Sequence, residues 1–134
     1  MRPEFPPLRL RAGALADTSV WIRHFREPDP RLLRAAVGRR LLAHPMVLGE
    51  LVCGNLAERQ ATIRMLRELE SIPGARDEEV HRLIEANGLS GRGVGWIDFH
   101  LLAACRLHGT TLWTRDRRLR EVAVEVLGEE KVWG

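Results

Sequence analysis

Apolar residues in this chain follow two alternating patterns. Short apolar runs have the length and composition of buried strands, and the longer segments between them repeat apolar residues every three or four positions, as one face of a helix does. The short runs predict strands at 14–18, 39–44, 110–114 and 131–133. The longer segments predict helices at 20–27, 28–38, 45–55, 56–71, 76–88, 96–109 and 115–128. Strands separated by helices are typical of an α/β fold with a central, mostly parallel β-sheet flanked by α-helices.

Residues at the ends of the predicted helices support these boundaries. Thr18 or Ser19 is expected to cap the first helix, because a side-chain hydroxyl accepts a hydrogen bond from a free amide of the first turn. Gly38 and Gly88 stand where two other helices are expected to end. Neither a linker nor an internal repeat divides the chain after its first residues, so we expect a single domain over 13–134.

Composition narrows the class of protein. The 134 residues carry 45% hydrophobic and 29% charged side chains with a net charge of +3, an ordinary globular balance that permits a nucleic acid partner without requiring one. Apolar runs are too short to span a membrane. Residues 1–12 are rich in proline and arginine and predict a poorly ordered leader. Cys53 and Cys105 lack CxxC spacing and are predicted to be buried thiols of a cytoplasmic protein.

Four acidic residues interrupt apolar stretches. Asp17 ends the first predicted strand and Asp116 follows the third, which places both at the carboxyl ends of strands, where open α/β sheets bind ligands. Glu50 and Asp98 lie in apolar helices, and Asp98 has almost continuous apolar neighbours. A carboxylate in such surroundings costs free energy unless a partner compensates its charge.

Each acid also has an ordinary structural explanation. Asp17 and Asp116 are well placed to cap helices. Glu50 fits a surface charge or an ion pair with an arginine, and Asp98 fits a buried arginine partner as well as a metal. Taken together, two acids at strand ends and two on apolar helices predict a shared cleft, although the sequence leaves the structural explanation open for each one.

A shared cleft of four carboxylates would need a cation. Like charges a few ångströms apart raise one another's pKa until some of the groups take up protons. A bound Mg²⁺ or Mn²⁺ ion removes that penalty, prefers carboxylate oxygens and is commonly completed by phosphate oxygens of a substrate. An acidic cluster without histidine or cysteine ligands therefore indicates phosphodiester hydrolysis rather than a zinc protease.

The segments around these acids resemble a known family. The stretches LADTSVWI, HPMVLGELVCGN, GRGVGWIDFHLLAAC and LWTRDRRLREVA are similar, in order, to the acidic motifs of the PIN-domain family and in wording to its VapC group of toxin ribonucleases. The resemblance runs from about Gly13 to the C-terminus. It implies a PIN-like α/β domain, with residues 1–12 departing from typical members, which start almost at the first strand.

The resemblance also implies roles for individual residues. Asp17, Glu50, Asp98 and Asp116 match the four acids that bind one or two Mg²⁺ or Mn²⁺ ions in the family. Ser19 and Thr114 match hydroxyls expected to orient those carboxylates. Apart from the resemblance, Arg92, in the glycine loop SGRGVG, and Arg115, beside the predicted cleft, are candidate contacts for the phosphates of RNA. A tight connection in the loop and a solvated face of the last helix are the alternatives for these arginines, and the five histidines show no metal-binding spacing. The predicted site therefore consists of the four acids, the two hydroxyl residues and the two arginines.

Activity and partners follow from the same resemblance. It implies an endoribonuclease toxin that cuts single-stranded or loop RNA, often tRNA or ribosomal RNA, and leaves a 3′-hydroxyl and a 5′-phosphate. It further implies a homodimer neutralised by a VapB-type antitoxin. Two alternatives remain at this point: a housekeeping PIN nuclease in RNA maturation, and a non-catalytic binding module whose acids are helix caps and ion pairs.

Overall fold

The computed structural model describes residues 8–134. Its strands are β1 (Ala14–Ala16), β2 (Leu41–Ala43), β3 (Glu70–Ser71), β4 (Thr111–Trp113) and β5 (Val132–Trp133). Its α-helices are α1 (Leu8–Ala12), α2 (Thr18–Arg26), α3 (Pro30–Val37), α4 (Pro45–Val52), α5 (Arg59–Glu68), α6 (Asp77–Asn87), α7 (Trp96–His108) and α8 (Arg117–Leu127), with a 3₁₀ turn at Glu129–Lys131. None of the helices in this described part is long and apolar enough to cross a membrane.

All strands of the sheet run parallel, in the order β3-β2-β1-β4-β5. The chain builds outward from β1 on one side through β2 and β3, then crosses over to place β4 and β5 on the other side. The order therefore reverses between β1 and β4, where Leu15 pairs with Leu112. Open α/β sheets bind ligands at the carboxyl ends of strands that flank such a reversal. The predicted α/β fold with a mostly parallel sheet is confirmed.

The core lies between the sheet and its helices. Leu15, Leu42 and Leu112 are fully buried on three adjacent strands, and α7 contributes an uninterrupted buried run from Phe99 to Cys105. A helix buried on so many sides has to be apolar nearly all round. This explains why the sequence of α7 is so apolar, and it makes any charge in that helix a feature that needs a reason.

The second half of the predicted leader packs against the rest of the chain. Residues 1–7 lie outside the described part of the chain, and Leu8–Ala12 forms the short helix α1. Leu10 is buried, and its carbonyl accepts a hydrogen bond of 2.7 Å from the buried Thr110 hydroxyl. Gly13 connects α1 to β1 and packs closely against Leu42, because a Cβ at this position would lie 2.8 Å from the Leu42 side chain. Tertiary contacts of this kind, rather than its composition, hold α1 against the rest of the chain.

Three smaller expectations need correction. The strand β3 has only two residues, both exposed, and was missed because it carries no apolar signal. Helix α2 is capped by Asp17 rather than by Thr18 or Ser19. Cys53 is exposed at the end of α4, whereas Cys105 is buried as predicted.

Candidate active site

Asp17 is a buried carboxylate at the carboxyl end of β1. Its backbone amide continues the ladder to β4 by donating to the Trp113 carbonyl at 3.0 Å, and its side chain accepts from the Val20 amide at 3.1 Å as the N-cap of α2. Only 3% of the residue is exposed. Burial raises the pKa of Asp17, and hydrogen bonds from Ser19, Thr114 and the α2 amides oppose that rise.

Two hydroxyl groups tie the end of β1 to the end of β4. The Thr114 hydroxyl donates to Asp17 Oδ2 and accepts from the Asp116 amide at 3.0 Å. The Ser19 hydroxyl donates to Asp17 Oδ1 at 2.5 Å and accepts from the Arg115 amide at 2.9 Å. Both oxygens of the Asp17 carboxylate are therefore held in fixed directions, and the loop that leads into α8 is held against it.

Asp98 lies in the first turn of α7, partly buried at the edge of the core. Its pKa is raised to about 6, first by burial and then by the negative charges of Asp17, Asp116 and Glu50, in that order. The same three acids that the sequence singled out are thus the charges that act on Asp98. The structure brings the four predicted acids into one electrostatic neighbourhood.

Glu50 and Asp116 stand at the exposed side of this group. Glu50 comes from α4, and its Oε1 accepts a 2.6 Å hydrogen bond from the Thr18 hydroxyl at the start of α2. Asp116 caps α8 by accepting from the amides of Arg118 and Leu119 at 2.9 and 3.1 Å. Both acids at strand ends are therefore helix caps, as the ordinary explanation predicted. A capping role does not exclude a second role in binding a metal.

The donor set suits a hard divalent cation. Four carboxylates with two neighbouring hydroxyls are oxygen ligands, which Mg²⁺ and Mn²⁺ prefer over nitrogen and sulfur. A cation among them would remove the repulsion that raises the pKa of Asp98. Within residues 8–134, however, no three His, Cys, Asp or Glu side chains already stand in a metal-holding arrangement. Glu50 and Asp116 are instead hydrogen-bonded to protein groups and would have to turn toward an ion.

The two predicted phosphate contacts differ in position. Arg115 is exposed, and its amide is bonded to Ser19, so its backbone lies directly beside the acids. Arg92 forms an ion pair of 2.5 Å with Glu125 on α8 and lines an open cleft with Arg117 and Arg120. Arg115 therefore adjoins the acidic group, whereas Arg92 lines a cleft of arginines and glutamates along α8.

His44 is a residue near the site whose role the sequence reasoning overlooked. It caps α4, the helix that carries Glu50, with its Nδ1 accepting from the Met46 amide at 3.0 Å. The imidazole is 3% exposed. Burial and, to a smaller extent, the charge of His100 lower the pKa of His44 to about 4. The His44-Pro45 sequence was the available signal, since the proline at the first position marks the residue before it as a cap.

Replacing His44 by asparagine is expected to change how stability depends on pH. The unfolded imidazole takes up a proton near pH 6.5 but the folded one only near pH 4, so His44 makes the protein less stable as the pH falls between these values. The His44→Asn variant keeps a capping side chain and loses this proton uptake. Urea unfolding should show the metal-free variant gaining about 2 kcal/mol relative to wild type between about pH 7 and 4.5. An unchanged difference across that range would contradict the buried, neutral imidazole.

Comparison with known proteins places this arrangement in a family. The sequence model of the PIN domain matches residues 14–125, which include all four acids. The chain therefore belongs to the PIN-domain family. Within it, the chain is similar to Ribonuclease VapC32 from two strains of Mycobacterium tuberculosis, with 39% identity over 112 residues that cover 83% of this chain and 90% of the relative. This similarity makes it a VapC-type PIN-domain ribonuclease.

A solved structure agrees on the fold. The crystal structure of PAE2754 from Pyrobaculum aerophilum superposes with a TM-score of 0.59, covering 91% of this chain and 83% of that one. Sequence identity between the two is 16%, so the likeness concerns the fold alone. Together with the sheet order, it confirms the PIN-like α/β architecture that the motifs predicted.

Proposed function

We propose that this protein is a Mg²⁺- or Mn²⁺-dependent endoribonuclease toxin, whose site is formed by Asp17, Glu50, Asp98 and Asp116. The observation that carries the proposal is the Thr114 hydroxyl, which binds the Asp17 carboxylate and the Asp116 amide at the point where the strand order reverses. Such hydroxyls orient ligating carboxylates in metal sites. The mutual repulsion within the acidic group supplies the reason for a cation.

The four acids have different parts in this proposal. Asp17 is held on both carboxylate oxygens and would be a fixed ligand. Asp98 of α7, on which the charge of Asp17 acts, would be the second. Glu50 and Asp116, which are more exposed, would bind the ion directly or through water and help orient the attacking water. When bound, the ion supplies positive charge that stabilises the phosphate in the transition state and makes water more acidic.

Hydrolysis would break the bond between phosphorus and the 3′-oxygen of the scissile phosphodiester. The water oxygen forms the new bond to phosphorus, one water proton passes to a carboxylate of the site and the leaving 3′-oxygen takes up a proton. The products are a 3′-hydroxyl and a 5′-phosphate. Arg115, beside Asp17, and Arg92, on the α8 surface, would contact phosphates on the flanking RNA.

The partners belong to the same proposal. We infer tRNA or ribosomal RNA as the substrate, a VapB-type antitoxin as the inhibitor, and a cytoplasmic homodimer as the working form. An antitoxin that places an arginine among the four acids would compete with the metal through charge-assisted hydrogen bonds. The similarity to Ribonuclease VapC32 supports this reading over a housekeeping nuclease of RNA maturation.

Purified, antitoxin-free protein is expected to cut a pool of total tRNA and ribosomal RNA into discrete fragments in Mg²⁺ or Mn²⁺ and to lose this activity in EDTA. End mapping of the fragments should find 5′-phosphates. The Asp17→Asn variant should be inactive. Asp29→Asn is the matched control, because Asp29 caps α3, is not among the charges that act on Asp98, and can be replaced by asparagine as an equally good cap.

The opposite result has a defined meaning. Cleavage that persists in EDTA or in the Asp17→Asn variant would reject the proposed site. A folded, metal-loaded wild type that cuts nothing in the pool would favour the non-catalytic module, whose strand-end acids act only as the helix caps described above.

A further inference from the structure

An apolar groove opens beside the four acids. It has a volume of about 410 Å³ and lies between α2, α4 and the segment that leads to α5. Ile22, Phe25 and Arg26 form its α2 wall, Leu51 lies opposite, and Asn55 lies in the connecting segment. A volume of this size is in the range of small-ligand sites. We call it the α2–α4 groove.

The groove is continuous with the proposed active site through Glu50. This carboxylate lines the groove and also belongs to the acidic group that acts on Asp98. Its hydrogen bond to Thr18 connects the first turn of α2 to α4 at the boundary between the two. If the phosphate of a bound molecule lies at the acids, the group attached to that phosphate can therefore extend into the groove.

Phe25 presents a supported aromatic face to the groove. Its ring centroid lies 5.8 Å from that of Trp21, which is 1% exposed and fixed in the core. Phe25 itself is 38% exposed, and Ile22 beside it is 42% exposed. A ring held from behind and open in front loses little conformational entropy when a flat ligand stacks on it.

Two polar side chains at the groove have no partner among the residues that the structure describes. Within residues 8–134, neither the Arg26 guanidinium nor the Asn55 amide takes part in a hydrogen bond or ion pair. Arg23, on the same helix, is different, since it pairs with Glu27 at 3.2 Å. Arg26 is thus free to contact a phosphate, and the Asn55 amide can both donate to and accept from the edge of a base.

We propose that the α2–α4 groove holds one unstacked base of single-stranded RNA, adjacent to the scissile phosphate, and thereby helps select the cleavage site. The inference rests on the proposed ribonuclease function. Single-stranded RNA is recognised by splaying bases out, stacking them on aromatic side chains and reading their edges with polar groups. Phe25 supplies the stacking face, Asn55 the polar contact and Arg26 the cation for the neighbouring phosphate. That combination favours a nucleotide over an apolar peptide, which would leave Arg26 and Asn55 without partners.

Cleavage kinetics on a short RNA containing a mapped site test this proposal. Phe25→Leu, which keeps apolar volume but removes the ring, and Arg26→Ala should each raise KM about tenfold. Phe25→Leu should also broaden the preference for the base next to the cut when the whole RNA pool is mapped. Leu33→Ala, at an exposed position on α3, and Arg23→Ala are the matched controls and should behave as wild type. Unchanged KM and unchanged site preference in both groove variants would overturn the inference and leave the ribonuclease proposal intact.

A binding measurement keeps the groove testable if no cleavage is found. A single-stranded oligoribonucleotide carrying 2-aminopurine, titrated in Ca²⁺, should lose fluorescence on binding wild type because the base stacks on Phe25, and this loss should be absent in Phe25→Leu. Equal quenching by the two proteins, or none by either, would reject the base pocket. Groove variants that cut RNA normally but escape inhibition by the co-expressed antitoxin would also reject it, and would assign the groove to a peptide.

Discussion

Replacing Asp98 by asparagine is expected to slow RNA cleavage strongly and, in the same variant, to make the metal-free protein more stable at pH 8. Asp98 is partly buried and lies within reach of the charges of Asp17, Asp116 and Glu50. Without a cation, its own negative charge is unfavourable there. Asparagine has nearly the same shape and no charge. A residue kept at a cost in stability is typical of a functional site.

The sign of the stability effect follows from the raised pKa. The folded carboxyl releases its proton near pH 6 and the unfolded one near pH 3.8, so the folded state is favoured by protonation and loses stability as the pH rises through 6. Asp98→Asn should therefore exceed wild type by about 2 kcal/mol in urea unfolding at pH 8 with EDTA, and the difference should fade near pH 4. Cleavage in Mg²⁺ should fall by about a hundredfold to a thousandfold.

Asp29→Asn gives the opposite sign and serves as the control. Hydrogen bonds and charge from Arg31 lower the pKa of Asp29, so its charge adds stability above its unfolded pKa and the asparagine variant should be slightly less stable at pH 8. An Asp98→Asn protein that is less stable than wild type at pH 8 in EDTA would show that the carboxylate has a compensating partner and is not strained.

Replacing Thr114 by valine is the second change with a large expected effect. The Thr114 hydroxyl is fully buried and serves two groups at once, the Asp17 carboxylate and the Asp116 amide. Valine fills the same space but leaves both groups without a partner, which should destabilise the protein by about 1–3 kcal/mol. Misorientation of Asp17 should lower kcat by about tenfold to a hundredfold. Urea unfolding and steady-state kinetics at saturating Mg²⁺ measure the two effects.

Thr114→Ser separates positioning from packing. Serine restores the hydroxyl and loses only a methyl group, so cleavage should recover most of the wild-type rate even though some stability is lost. If Thr114→Val cuts RNA as fast as wild type, the hydroxyl has no role in positioning the proposed ligands.

Much of the fold was predictable because its signals are local. The apolar runs of β1, β2 and β4 and the caps and glycines of α3 and α6 identify elements without reference to the rest of the chain. The elements that the sequence did not predict depend on tertiary contacts. Helix α1 is ordered by the burial of Leu10 and by Thr110, a hundred residues away along the chain, and β3 is a strand only because β2 lies beside it.

The candidate site, too, contains residues that the sequence reveals and features that only the fold reveals. Asp17 and Asp98 stood out because each places a charge where the pattern calls for an apolar residue, and that contrast is visible in sequence. The α2–α4 groove was not visible, because a partly exposed phenylalanine looks ordinary until its neighbours are known. Arg92 looked like a phosphate contact in its glycine loop, whereas its pairing with Glu125 required the fold.

The central proposal is that the four acids hold a divalent cation. Titration of Mn²⁺ into metal-free protein, followed by calorimetry, tests it most directly with wild type, Asp98→Asn and Asp29→Asn side by side. We expect saturable binding to wild type and Asp29→Asn that is lost or at least about tenfold weaker in Asp98→Asn. Equal binding by all three proteins, or none by a folded wild type, would contradict it.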